Sequence, residues 1–544
     1  MFPCPNCGDN LRFDIASQKM SCRSCDSFFA IDDIDKENQS TENSQEEKEF
    51  FETTIFYCPQ CGGEMIGDET DATMVCSYCG SSNVLETRLG KEKRPNYIIP
   101  FKIGKEECKK RFLEKMSKSF WADKEYRSVE KIESFRALYV PYYSYRIGQD
   151  ESVSVPTEKS HRSGNYIITD HYRVRTHIRA KYLGLSKDAS SSFYDNISES
   201  LEPFDVKETV PFKTQYLSGF YADIADVPSI KYQEEVKDIA CGNTADVVMK
   251  AVAGANAGSP TNGNVSVKSN IEGVDMMMYP VWFLSYRVKD RIAYATVNGQ
   301  TGKVATDVPI SIPKFVGISL IASVVWFAIL NALFTFKPAM LLALVSLLMA
   351  FAMSMYYSEI KDIFIKENNI GDKGVLAAKK EEQRELEKMV DYKEKKKKKK
   401  AIGKLGQKKK TGTWVPIMLV IYLVVVVGEG ALTVLFGIFQ GSFLQVIIAV
   451  VAIIWTLICF FKNYNMGYIE PGQNVLPVVL LLTECVAFLM TMMNLHVDEV
   501  YYFYALGMLG VVIVTLLVIT RKLVDLTTRP LPQFKKSGGD DSGI

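Results

Sequence analysis

Cys4-Pro5-Asn6-Cys7-Gly8, completed by Cys22-Arg23-Ser24-Cys25, recurs as Cys58-Pro59-Gln60-Cys61-Gly62, completed by Cys76-Ser77-Tyr78-Cys79-Gly80, with fourteen residues between the pairs each time. A Cys-x-x-Cys turn brings two thiolates to one metal, and fourteen residues suffice for a hairpin that returns the second pair to close a tetrahedron. Glycine after the second cysteine frees backbone amides to donate to the sulfurs. The spacing predicts two small β zinc ribbons, at 1–31 and 55–90. One holds a structural ion through Cys4, Cys7, Cys22 and Cys25, the other through Cys58, Cys61, Cys76 and Cys79. Four thiolates fill the coordination shell and leave no open position for catalysis; the same four would also suit iron. A disulfide framework is the competing reading. It is disfavoured because no basic and apolar leader precedes Cys4, so a reducing compartment is expected.

Outward from the cysteines, the averages mislead: 544 residues, 47% hydrophobic and a net charge of +1 describe an ordinary soluble chain. Up to about Pro313 the sequence is polar and mixed. Beyond it, residues 315–336, 338–357, 443–461 and 501–520 carry no charge, 415–439 only Glu429 and 475–493 only Glu484. A helix needs about 20 apolar residues to cross the hydrocarbon core, so an all-α transmembrane region of six helices is expected, at 315–357 and 414–521. Residues 358–413 hold 18 Lys and Arg, including 395–400 and 408–410, while the opposite connections hold Lys337 alone. The excess of positive charge places that loop, the tail at 522–544 and the N-terminus together in the cytoplasm, with residues 395–410 a candidate contact for anionic lipid.

Residues 32–54, with nine acidic residues and two lysines, read as a disordered linker that leaves the ribbons separately tethered. Residues 96–311 read as a cytoplasmic α+β domain with an internal duplication. Tyr139-Val140-Pro141-Tyr142-Tyr143-Ser144-Tyr145-Arg146-Ile147 echoes Tyr279-Pro280-Val281-Trp282-Phe283-Leu284-Ser285-Tyr286-Arg287-Val288, each after a helical stretch, at 105–121 and 234–253. Asn298-Gly299 and Thr301-Gly302 supply turn residues for a hairpin over 288–304. In the alternating stretch 166–180, Tyr172, Val174 and Ile178 share one face; His171, Arg173, Arg175, His177 and Arg179 share the other. That basic face suits a solvated strand, or an acidic partner; no carboxylate or cysteine at ligand spacing makes its histidines a metal site. Nucleotide-binding glycine motifs, H-E-x-x-H and G-x-S-x-G are missing, and Cys108, Cys241, Cys459 and Cys485 are unpaired, so the chain is not expected to be an enzyme.

The order of CPxCG ribbons, Ile98-Ile99-Pro100-Phe101, the Tyr139 segment, Leu201-Glu202-Pro203-Phe204-Asp205, Tyr216-Leu217-Ser218-Gly219-Phe220-Tyr221-Ala222-Asp223 and Val297-Asn298-Gly299-Gln300-Thr301-Gly302-Lys303 resembles bacterial multi-pass membrane proteins with N-terminal transcription-factor-B-type zinc ribbons. The resemblance covers roughly 58–313. It implies a multi-pass cell-membrane location, while the two structural zinc ions rest on the repeated cysteine spacing, the first ribbon being a departure from the family. It also implies anchoring of a cytoplasmic scaffold or phage-shock-type effector in envelope stress, with no catalytic residues to carry over. The expected function is a zinc-binding membrane anchor that recruits protein partners. One alternative is an ion or small-solute transporter using Glu484 and Glu429. Another is a membrane-tethered nucleic-acid-binding regulator, which the acidic linker beside both ribbons disfavours.

Overall fold

The computed structural model describes residues 2–38, 49–67, 76–81, 86–121, 134–254, 258–261, 265–288, 291–307, 311–333, 338–374, 442–464, 475–493 and 497–532. The first quartet is built on three short antiparallel strands: β1 (Leu11–Asp14), β2 (Lys19–Cys22) and β3 (Phe28–Phe29). Leu11 stands opposite Cys22 and Asp14 opposite Lys19. Period-two alternation turns Leu11, Phe13, Met20 and Cys22 inward. Helix α1 (Ile31–Asn38) closes this small core with Ile34. The linker expected at 32–54 therefore begins as helix and ends as strand β4 (Phe50–Tyr57); residues 39–48 lie outside the described residues. Ile31 and Ile34, three apart, supply an apolar helical face that the acidic composition hides.

The second quartet stands on β4, β5 (Glu64–Ile66) and β6 (Glu86–Lys93), which belong to the large sheet. The join is β11 (Tyr221–Ala222): Ala222 pairs antiparallel with Ile66 of β5 and parallel with Tyr139 of β8 (Arg136–Ser163). Contrary to the expectation of two separately tethered ribbons, the second is continuous with the main domain, because a shared ladder satisfies backbone groups that a free ribbon would leave at its edge.

At the centre of this sheet β8 pairs antiparallel with β13 (Asn270–Val288), from Gly148 opposite Asn270 to Arg136 opposite Phe283. The two echoing segments are these strands. They meet with Val140 opposite Tyr279, and Tyr142 stacks on Tyr279 at 4.6 Å between ring centres. Each continues into a hairpin partner, β9 (Tyr166–Asp188) and β14 (Arg291–Asn298), giving the order β9-β8-β13-β14. Each follows a helix, α2 (Lys105–Lys118) or α4 (Gln233–Gly254). Cys108, Phe112 and Met116 of α2 are buried with Trp282, Tyr286 and Ala293; Val236 and Ala240 of α4 are buried with Tyr145 and Ile147. A twice-used helix–hairpin unit, paired about the β8–β13 seam, accounts for this layout. Short parallel pairings of β11 with β8 and of β7 (Tyr97–Ile98) with β13 make the sheet mixed, so the domain is α/β rather than the expected α+β.

Beyond Gly148 the β8–β9 hairpin runs past β13 as a finger. Its near half is covered by α4, with Val248 and Val252 on Val155 and Ile178. Arg173, Arg175, His177 and Arg179 are exposed on the other face, as the alternation predicts; Tyr172 is exposed too. Each of the finger's three histidines meets a carboxylate: His171 and Glu158 at 3.2 Å, His177 and Asp150 at 3.0 Å, His161 and Asp170 at 3.6 Å.

The C-terminal region is helical: α5 (Ile312–Leu333), α6 (Pro338–Glu367), α7 (Ser442–Tyr464), α8 (Val475–Met493) and α9 (Asp498–Thr527). These match five of the six expected apolar runs; the run at 415–439, with Glu429, and the basic residues 395–410 lie outside the described residues. Among the described residues two helices, over Met340–Glu367 and Asp498–Thr527, are long and apolar enough to cross a membrane, where six were expected for the whole chain. The other three, α5, α7 and α8, are 22, 23 and 19 residues long. Leu342, Met349 and Met353 of α6 pack with Tyr501, Ala505 and Met508 of α9. After Thr527 the chain enters the large sheet as β16 (Arg529–Pro530), with Arg529 opposite Ile292 of β14.

Candidate metal centres

The four cysteine turns share one backbone design. The N–H of the first cysteine donates to the carbonyl five residues on: Cys4 to Asp9 at 2.6 Å, Cys22 to Ser27 at 3.0 Å, Cys58 to Gly63 at 2.9 Å and Cys76 to Ser81 at 2.8 Å. The residue after the second cysteine is left-handed each time, with φ of 79° at Gly8, 76° at Gly62, 67° at Gly80 and 52° at Asp26. Three of these positions use the residue that adopts this conformation without strain; Asp26 does not.

These turns converge the thiols in two groups of four, each with its sulfurs within 4.8 Å of one another. The nearest Sγ pairs are Cys4–Cys25 at 3.6 Å, Cys7–Cys22 at 3.4 Å, and Cys58–Cys79 and Cys61–Cys76, both at 3.7 Å. Four sulfurs at about 2.3 Å from one tetrahedral ion stand about 3.8 Å apart, whereas a disulfide needs about 2.0 Å. The residues fit a metal ion in each group, and all eight cysteines are free. Every metal ligand expected from the sequence is thus brought to its expected group. Among the described residues no further group of three or more His, Cys, Asp or Glu side chains could hold a metal, and the finger histidines are not gathered.

The two centres differ in surroundings. Cys7 and Cys25 of the first are exposed, while all four cysteines of the second are buried. The first docks on the segment 213–220: the Phe13 N–H donates to the Ser218 carbonyl at 3.1 Å, Ser218 Oγ to the Leu11 carbonyl at 2.6 Å, and Lys213 pairs with Asp32 at 2.6 Å. Phe13 lies 5.3 Å from Tyr216 and 6.2 Å from Phe220, ring to ring; Phe220 in turn stacks on Phe101 at 5.0 Å. Gln18 Nε2 donates to the Phe101 carbonyl at 2.8 Å. The segment beginning at Tyr216 is therefore the hub between both ribbons and the sheet, holding the first through Ser218 and Phe220 and the second through Tyr221 and Ala222.

The second centre is walled by Phe56, Met65 and Tyr78, with Tyr221 against them. Tyr294 of β14 donates its hydroxyl to the Tyr78 carbonyl at 2.8 Å, and the Tyr78 ring lies 6.4 Å from Phe283. Beneath it, burial pushes the Asp223 carboxyl up to about 7, against hydrogen bonds from Ser190 and Tyr78 that favour its charged form. Asp188, deeper in the domain, is raised well above the carboxylate range by burial and then by Asp195 and Asp372. Two further sequence motifs interlock. Asn298 donates to the Leu201 carbonyl at 3.0 Å, and Gln300 accepts from the Asp205 N–H at 2.8 Å. Gly299 is required there, because a Cβ would stand 2.6 Å from the Phe101 ring.

Sequence reasoning missed Tyr294, Phe220 and Arg529. Only the aromatic Tyr78 inside a cysteine turn, where a polar residue would serve, signals that this turn packs inward.

The chain is 28% identical over 314 residues to the uncharacterized protein YdjG of Bacillus subtilis (strain 168), an alignment covering 57% of this chain and 90% of that protein. No family model matches the chain, and no solved structure matches it.

Proposed function

We propose that the chain is a zinc-binding membrane anchor whose soluble domain and ribbons recruit protein partners on the cytoplasmic side. The observation that carries this reading is structural continuity. One four-thiol centre is built on the large sheet and the other docks against it through Ser218, and that sheet takes its β16 strand from the chain leaving α9. Closed thiolate sites staple small domains without doing chemistry, which suits rigid display of binding edges. The resemblance to zinc-ribbon membrane proteins supports the same reading and suggests an envelope-stress setting. The six-span topology with both termini inside belongs to this proposal, on the strength of the basic residues at 358–413. Cross-linking from native membranes, comparing the wild type with Cys58→Ser/Cys61→Ser, tests it. Partners retained by the wild type and lost by the variant support recruitment; the same partners on both refute it.

A second reading, transport, is favoured by Glu484, which is 1% exposed inside the helical region beside Ser346. A charge at the centre of a bilayer costs on the order of 3 kcal/mol, so a carboxylate there needs a reason. Loss of function in Glu484→Gln with partner recruitment intact would favour this second reading over the first.

A further inference from the structure

We propose that the second metal centre and the end of α9 are coupled, with Tyr294 and Arg529 as positioning residues for the turn that holds Cys76 and Cys79. This rests on the reading that Cys58, Cys61, Cys76 and Cys79 hold a metal ion. The path is contiguous. The Tyr78 carbonyl belongs to the Cys76–Cys79 turn and accepts from Tyr294 at 2.8 Å. The Tyr294 ring lies 6.0 Å from Tyr194, over whose face the Arg529 guanidinium is centred at 4.1 Å. Arg529 is 4% exposed and donates to Asn196 at 2.6 Å and to Asn369, just past the end of α6, at 3.3 Å. A second connection runs through the backbone, since β14 carries both Tyr294 and Ile292, and Ile292 pairs with Arg529. Arg291, next in line, holds Glu367 of α6 at 2.8 Å and Asp525 of α9 at 3.5 Å.

The physical consequence follows from burial. Tyr294 is 3% exposed, so its hydroxyl has no water to replace the Tyr78 carbonyl if the turn moves. Four thiolates held this close repel one another until a cation neutralises them, so metal binding draws the turn to the place where Tyr294 reaches it. The placement of Tyr294 depends in turn on Tyr194 and on the Arg529 strand. Metal occupancy therefore favours the docked helix end, and by linkage the docked helix end raises metal affinity by the same factor. Among the described residues no hydrogen bond or ring contact leads from the first centre's cysteine turns to Tyr294 or Arg529. The docking of that centre runs through Ser218 and Phe220, which makes it an internal control within the same chain.

The test uses the full chain in detergent, loaded with zinc and titrated with a chromogenic chelator. Tyr294→Phe removes only the hydroxyl, and Arg529→Leu removes the guanidinium. We expect two zinc ions in the wild type, and in each variant one ion released at about tenfold lower chelator concentration while the other is unchanged. Amide exchange over residues 525–532 supplies the reciprocal readout. It should quicken in Cys58→Ser/Cys61→Ser and stay at the wild-type rate in Cys4→Ser/Cys7→Ser. Two ions with unchanged release in Tyr294→Phe, or exchange at 525–532 indifferent to the second centre, would overturn the coupling. Fewer than two ions in the wild type would overturn the metal reading beneath it, and the two failures are distinguishable. Tyr294→Phe keeps the ring and the fold, so the test does not depend on Arg529→Leu folding.

Discussion

Replacing Phe220 by alanine should loosen the docking of the first ribbon without emptying it. The Phe220 ring makes three aromatic contacts: stacked on Phe101 at 5.0 Å, edge-on to Tyr139 at 5.8 Å and edge-on to Phe13 at 6.2 Å. At about 0.5–1 kcal/mol for each pair, plus about 1 kcal/mol for the apolar area of a half-buried ring, the substitution costs about 3 kcal/mol. About 1 kcal/mol of that loss falls on the interface between ribbon and sheet, through the Phe13 contact, since Phe101 and Tyr139 lie on the same side as Phe220. The Phe13 N–H reports the docking directly, as it donates to the Ser218 carbonyl across the interface. If about 1 kcal/mol of docking energy is lost, its exchange with solvent deuterium should quicken about fivefold. Amides in the Cys4 and Cys22 turns, protected within the ribbon, should change much less, and both ions should remain bound. Unchanged exchange at Phe13 in Phe220→Ala would refute the account of the hub segment and restore an independently tethered first ribbon.

Two further substitutions test local conformation and charge. Asp26 holds φ of 52° where the equivalent residues are Gly8, Gly62 and Gly80, so Asp26→Gly should stabilise the first ribbon by about 1 kcal/mol, read as a rise in its thermal midpoint; a fall would contradict the strain argument. Asp223 has its carboxyl pushed up to about 7 by burial, against an ordinary value of 3.8, so its ionisation opposes folding. The penalty is full above about pH 7 and shrinks as pH falls from there towards about 4. Asp223→Asn should therefore stabilise the chain by up to about 4 kcal/mol near pH 8 and by about 2 kcal/mol near pH 5.5, in denaturant titrations with zinc present. A gain that grows on acidification would show the sign to be wrong.

The parts of this molecule written in short-range code were legible in the sequence. The eight ligands are fixed by turns of four residues, so spacing alone assigned them, and the left-handed glycines marked where each turn closes. The echo between the Tyr139 and Tyr279 segments foretold two helix–hairpin units, which meet as adjacent antiparallel strands. Contacts between distant residues were not legible. Phe13 meets Phe220 and Tyr78 meets Tyr294 across some two hundred positions, and no periodicity connects them. The acidic composition of 32–54 concealed Ile34, whose role emerges only once the ribbon core is there to receive it. Five of the six uncharged runs coincide with helices among the described residues, because a long run without charges or breakers reads directly as helix, and two of those helices are long and apolar enough to cross a membrane.

The central claim is that two separate four-thiol centres, one with Cys7 and Cys25 exposed and one wholly buried, each hold an ion in the intact chain. Metal analysis of the purified full-length protein, alongside a count of reactive thiols before and after chelation, measures this directly. The account predicts two zinc ions per chain, with the thiols of the first centre, where Cys7 and Cys25 are exposed, becoming reactive at lower chelator concentration than those of the second. One ion or none, with the cysteines recovered as disulfides, would contradict it.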